Sequence, residues 1–156
     1  MKDFAAVLPT PTFALGIRCT SDEITEIVYL EPCAEIKPQS LLAKEAVRQL
    51  RAYLKDPACG FSLPLAPAGT AFQRRVWDGI AAIGPGATRT YGELAAAMHS
   101  GPRAVGNACG ANPYPLVVPC HRVVAANQGL GGFARQRGGF LLDVKRWLLA
   151  HEGVRY

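Results

Sequence analysis

A thiol attacks carbon well only as its thiolate, so a cysteine with chemistry to perform needs a neighbour that lowers its pKa or takes its proton. Cys120 lies in the run Asn-Pro-Tyr-Pro-Leu-Val-Val-Pro-Cys-His-Arg-Val-Val over 112–124, with Pro119 before it and His121 and Arg122 after it. An adjacent Cys-His pair, read alone, also fits a buried cysteine beside an incidental histidine. Pro113, Pro115 and Pro119 add to the pair, because they fix the backbone on the approach to the thiol. The five cysteines, Cys19, Cys33, Cys59, Cys109 and Cys120, are odd in number, widely spaced and form no Cys-x-x-Cys pair. That pattern is neither a disulfide frame nor a zinc site. Cys19 and Cys33 lack further ligands, so no metal and no cofactor is expected, and Cys109 reads as packing.

Such a thiol needs a rigid scaffold and a reducing compartment. Met1 to Leu15 carries no basic stretch followed by a long apolar core, and no apolar run approaches about 18 residues. The expected location is the cytoplasm, with no membrane partner. The 156 residues suit one domain or two small ones, and 49% apolar with 19% charged residues excludes a disordered chain. A net charge of +5 makes a polyanion a reasonable partner.

Short apolar runs at Phe4–Leu8, Thr12–Cys19 and Glu23–Leu30, separated by prolines and the Ser21-Asp22 turn, predict a small antiparallel meander. Ser40 to Leu54 carries apolar residues at helical spacing, with Ser40 as N-cap and Pro57 beyond the end. Leu63 to Gly69, with Pro64 and Pro67, is a stiff joining passage, which divides the chain into 1–64 and 65–156. The second part opens on Thr70 as N-cap of a helix with Phe72, Val76, Trp77, Ile80 and Ile83 on one side. Thr90 caps a short helix through Met98. The turn His99-Ser100-Gly101-Pro102 and a helix over Arg103–Ala111 follow. Two short helices across a glycine-containing turn have the form of a helix-turn-helix. Leu141 to Glu152 closes the chain as an apolar-faced helix, and Trp77, Trp147 and Phe72 read as core. The fold class is therefore α+β, a small sheet-plus-helix domain followed by a mainly helical, winged-helix-like domain.

The helix over Arg103–Ala111 has little with which to read bases. Ala104, Gly106, Ala108, Gly110 and Ala111 are small, and only Arg103 and Asn107 carry polar reach. Such a helix packs tightly against another element, or approaches a backbone or a narrow groove.

The string Pro119-Cys120-His121-Arg122-Val123 resembles the active-site motif of the O(6)-methylguanine-DNA methyltransferases. So do Phe72-Gln73-x-x-Val76-Trp77, Thr90-Tyr91-x-x-Leu94-Ala95, Arg103-Ala104-Val105-Gly106, Asn112-Pro113 and Trp147-Leu148-Leu149-Ala150-His151-Glu152-Gly153. The resemblance runs from about Thr70 to Glu152, while the first 64 residues match only in outline. It implies that Cys120 displaces guanine from an alkyl carbon once, irreversibly, with His121 taking the thiol proton through a water and Glu152 holding the imidazole. It further implies a hydrogen bond from Tyr91 to the leaving base and backbone recognition of the base at Cys120, Val123 and Ala134. Asn112 would tie the helix to the active-site turn. Arg103, Ala104, Gly106, Asn107 and Arg122 would face DNA, with Arg103 filling the gap left by a flipped nucleotide. The implied partner is double-stranded DNA containing O(6)-alkylguanine, bound by a monomer.

Two departures stand out. Ala134 occupies the place where many relatives have serine, and the stretch from Arg135 to Phe140 is about five residues longer than usual, which suggests a flap facing the DNA. A DNA-binding module without transfer activity and a cysteine hydrolase are the competing readings. The presence of Cys120 weakens the first, and adjacency of the Cys-His pair weakens the second.

Overall fold

Prolines and small polar residues cut the first third of the chain into short apolar runs, and three of these become strands in the structure, a computed structural model that describes residues 4–126 and 139–155. The chain divides into two compact units, Met1–Pro67 and Ala68–Tyr156. In the first, β1 (Ala6–Pro9), β2 (Ala14–Cys19) and β3 (Ile24–Leu30) form an antiparallel sheet in sequence order. Val7 pairs with Gly16 and Ile17 with Ile27, with an irregularity at Arg18/Cys19. The helix α1 (Leu41–Lys55) covers the sheet with Ala43, Ala46, Val47, Leu50 and Tyr53 buried. Ser40 caps it by accepting from the Ala43 N–H at 3.1 Å. Leu65 continues the sheet beside Ile24. The Ile24 N–H donates to Pro64 O at 2.7 Å and the Ala66 N–H to Ile24 O at 2.8 Å.

In the second unit α2 (Ala71–Ala81) begins at Thr70 with a reciprocal capping box to Gln73 and buries Val76, Trp77 and Ile80. Gly69 just before it has φ +80, and a Cβ there would lie 2.5 Å from the Trp77 ring, so only glycine fits the approach. The Trp77 indole N–H donates to Ala108 O at 2.8 Å, fixing α2 to the later helix that carries Ala108. After the two-residue strand β4 (Arg89–Thr90) come α3 (Tyr91–Ala97) and α4 (Pro102–Gly110). Thr90 and Glu93 form a second capping box. The connecting turn places His99 at φ 54, a conformation that histidine tolerates better than most residues. A short 3-10 turn over Cys120–Arg122 leads into β5 (Val123–Val124), and α5 (Phe140–His151) ends the unit. The pairing of β4 with β5 is parallel, Arg89 with Val123 and Thr90 with Val124.

The mixed α and β architecture follows the sequence reading, with element ends displaced by a residue or two. Phe72 and Trp147 are corrected: both are half-buried rather than core, and Trp147 stacks on His151 with ring centroids 5.1 Å apart. Among the described residues no helix is long and apolar enough to cross a membrane.

Candidate active site

Proline dictates the local backbone around Cys120. Pro119 cannot donate a hydrogen bond, but its carbonyl accepts from Arg122 N–H at 2.9 Å and so closes the tight turn that carries Cys120, His121 and Arg122. The loop before it folds on itself through Val118 N–H to Tyr114 O at 2.8 Å, with buried Leu116 held at φ 76. Asn112 stitches this loop together. Its Nδ2 donates to Val118 O at 2.9 Å and to Cys120 Sγ at 3.2 Å, and its Oδ1 accepts from Tyr114 N–H at 2.9 Å. One side chain at the end of α4 thereby sets the position of the sulfur.

The imidazole of His121 is wholly buried, and its Nε2 lies 2.7 Å from Glu152 Oε2. Nδ1 is also buried and meets no hydrogen-bonding group among the described residues. Burial pushes the His121 pKa down, against the pull of Glu152, so the ring is neutral near neutral pH and able to take a proton. Glu152 caps the C-terminal end of α5, where the helix dipole disfavours a carboxylate. Arg122 offsets this. Its Nε donates to Glu152 Oε1 at 2.8 Å and its Nη2 to Oε2 at 3.0 Å, while Nη1 donates to Ile83 O at 2.6 Å.

This geometry corrects the reading of Arg122 as a DNA contact. The residue is 8% exposed and its guanidinium is committed to Glu152 and Ile83, because a carboxylate buried beside histidine requires a cation. Arg122 is a positioning residue for the His121–Glu152 pair.

Two neighbours of the thiol carry weight that the sequence reading did not give them. Cys109, assigned to packing, accepts from the Cys120 thiol at its backbone O at 3.7 Å, and the two thiols lie near enough to shift one another's pKa. The Cys109 thiol beside it, together with burial, holds the Cys120 thiol well above the ordinary cysteine range, while the same interaction draws Cys109 below it. The resting Cys120 is therefore protonated and requires a base. Lys145 is completely buried, donates to Val123 O at 2.7 Å, and is pushed down to about 8 by burial. A lysine among Leu142, Val144, Leu148 and Leu149 on an apolar helix face was the available signal.

Tyr91 opens α3 directly after the β4–β5 pairing, which brings it to the same pocket. Burial, then the nearby charges of Cys109 and Cys120, raise its pKa, so the phenol keeps its proton. The Lys145 ammonium stands 5.8 Å from the Tyr91 ring centroid. On α4, Arg103 and Asn107 are exposed and Ala104 and Gly106 half-exposed, whereas Val105 and Ala108 are buried. Ala134 and most of the 135–140 segment lie outside the described residues.

The profile of the 6-O-methylguanine DNA methyltransferase DNA-binding domain matches residues 71–154. The sequence is 46% identical over 112 residues to the methylated-DNA–protein-cysteine methyltransferase of Methanosarcina acetivorans, covering 70% of this chain and 69% of that one. It is 42% identical over 157 residues to the protein of the same name from Haemophilus influenzae, covering 95% and 85%. Its fold is similar to that of Mycobacterium tuberculosis OGT crystallised in complex with DNA, with a TM-score of 0.79 and 35% identity over 94% of this chain and 90% of that one. The O6-methylguanine DNA methyltransferase of Methanococcus jannaschii is also similar, with a TM-score of 0.65 and 26% identity over 96% and 94%. With the profile spanning the unit that holds Cys120, His121 and Glu152, and one alignment running nearly the whole length of both proteins, this chain belongs to the methylated-DNA–protein-cysteine methyltransferase family.

Proposed function

We propose that the chain repairs double-stranded DNA by moving the alkyl group of O(6)-alkylguanine onto Cys120, once per molecule. The observation that carries this reading is a thiol anchored by Asn112 at 3.2 Å, with the neighbouring His121 buried neutral against Glu152 at 2.7 Å. His121 Nδ1, through a water, takes the thiol proton. The sulfur then forms a bond to the alkyl carbon as the carbon–O6 bond breaks, and the guanine leaves with its charge met by the Tyr91 hydroxyl. The product is a thioether with no low-barrier route back, so each molecule acts once. Val123 O accepts from the exocyclic amine of the base. Lys145 occupies one of its lone pairs, and a carbonyl offers two. The backbone at Ala134 would complete the contacts to the base.

The pair α3–α4 serves as a helix-turn-helix. A base stacked in duplex keeps its O6 away from a buried sulfur, so the nucleotide rotates out, at a cost of a few kcal/mol. Exposed Arg103 then occupies the gap, and the small residues Ala104 and Gly106 let α4 lie close in the minor groove with Asn107 beside the backbone. The protein acts as a monomer in the cytoplasm, and the 1–64 and 65–156 parts divide support from chemistry.

Incubation with a duplex carrying O(6)-methylguanine tests the reading. One methyl per chain, mapped to Cys120 and abolished in Cys120→Ser while DNA binding persists, is expected. Binding without mass gain would indicate a damage-sensing module, and repeated turnover of an ester or amide a hydrolase.

A further inference from the structure

We propose that Cys109 and Cys120 form an oxidation site, in which Cys109 intercepts a hydroperoxide and then closes a reversible disulfide onto Cys120. The Cys120 thiol donates to Cys109 O at 3.7 Å, which brings the two cysteines together at the end of α4, and Asn112 holds the Cys120 sulfur from another side at 3.2 Å. Cys109 is half-buried on α4, whereas Cys120 is 4% exposed, so a small oxidant arriving from solution meets Cys109 first. Interaction with Cys120 also draws the Cys109 thiol below the ordinary cysteine range.

The steps balance with a hydroperoxide as the only co-reactant. The Cys109 thiolate attacks the terminal peroxide oxygen. A sulfur–oxygen bond forms, the oxygen–oxygen bond breaks, and the departing alkoxide or hydroxide is protonated. Cys120 then loses its proton and attacks the Cys109 sulfenic sulfur, so that the sulfur–sulfur bond forms as water leaves. The two sulfurs together give up two electrons, and the peroxide accepts them.

A thiol without such a partner proceeds from sulfenic to sulfinic acid, which thiols do not reverse. The protective value of the pair rests on Cys120 being the alkyl acceptor, but formation of the bond does not.

Trypsin leaves both cysteines in the single peptide 104–122, so the disulfide is read directly. The full chain is treated with hydrogen peroxide, blocked with an alkylating reagent and digested without reductant. The expected peptide is unblocked, lighter by two hydrogens, and restored by dithiothreitol. Methyl acceptance, normalised to each untreated protein, returns with reduction in the parent chain. In Cys109→Ala that recovery falls at least ~5-fold as sulfinic acid accumulates at Cys120. Sulfinic acid at Cys120 of the parent chain without the linked peptide, or equal recovery in Cys109→Ala, would overturn the proposal. A linked peptide in a protein that accepts no methyl would leave the oxidation site standing and remove the transfer reading.

Discussion

In the proposed mechanism Cys120 gives its proton to His121, a base that is itself shielded from acid. Burial lowers the pKa of His121 below its ordinary 6.5, so the neutral ring survives at pH values where a solvated histidine is already half-charged. The single-turnover rate should stay flat as pH falls to 6.5 and decline only below it, which a rapid-quench pH profile would read. The same shift has a consequence for folding. The unfolded chain binds this proton more readily than the folded one, so stability is complete above 6.5 and is lost as pH falls through the lowered value. Lys145 acts in the opposite range. Its drop from 10.5 to about 8 corresponds to about 3 kcal/mol of preference for the neutral amine, yet below about 8 it is charged and favours the Cys120 thiolate. Lys145→Met should slow transfer at pH 7, and the deficit should narrow by pH 9, where the parent lysine has lost its charge. A deficit independent of pH would assign Lys145 to packing alone.

Among the elements, the β4–β5 pair and the two capping boxes do the positioning. Thr90 pairs with Val124, caps α3 and delivers Tyr91 to the pocket, three tasks resting on one hydroxyl-bearing residue. Thr90→Ala removes the acceptor for Glu93 N–H at 3.0 Å and should cost about 1 kcal/mol in denaturant unfolding. It should also slow transfer by loosening Tyr91. Helix starts were legible from the sequence because a cap is a local device: Ser40, Thr70 and Thr90 each precede an apolar period and each accepts the N–H three residues on. The tight turn at Cys120–Arg122 was not, since proline spacing says that the backbone is fixed without saying in which form.

For the whole molecule, the basic charge and the exposed start of α4 bear on how duplex DNA is bound. Arg103→Ala should slow repair in duplex much more than transfer from free alkylated guanine, because only the duplex has a gap to fill. Paired single-turnover assays would decide it, and equal losses would remove the gap-filling role of Arg103. Affinity for undamaged duplex should fall steeply with salt and vary little with sequence, since α4 presents small residues where base-reading side chains would stand.

The sequence by itself determined the family and most of the segment order. Cys120 between Pro119 and His121, the caps and the helical periods are short-range features, and short-range features are written in neighbouring residues. Asn112 beside the thiol and Glu152 behind the imidazole were expected from the motifs that carry them, but their distances of 3.2 and 2.7 Å belong to the folded unit. Only the tertiary structure decided what Arg122, Cys109 and Lys145 do. Each is an ordinary residue type for an exposed arginine, a packed cysteine or a surface lysine until burial intervenes. Arg122 turned inward because a buried carboxylate needs a cation, and Cys109 met Cys120 because α4 and the Cys120 turn converge at Asn112. Lys145 is buried on α5, where it donates to a backbone carbonyl of β5. Burial is set by contacts between residues distant in sequence, and that is why these three roles could not be read along the chain.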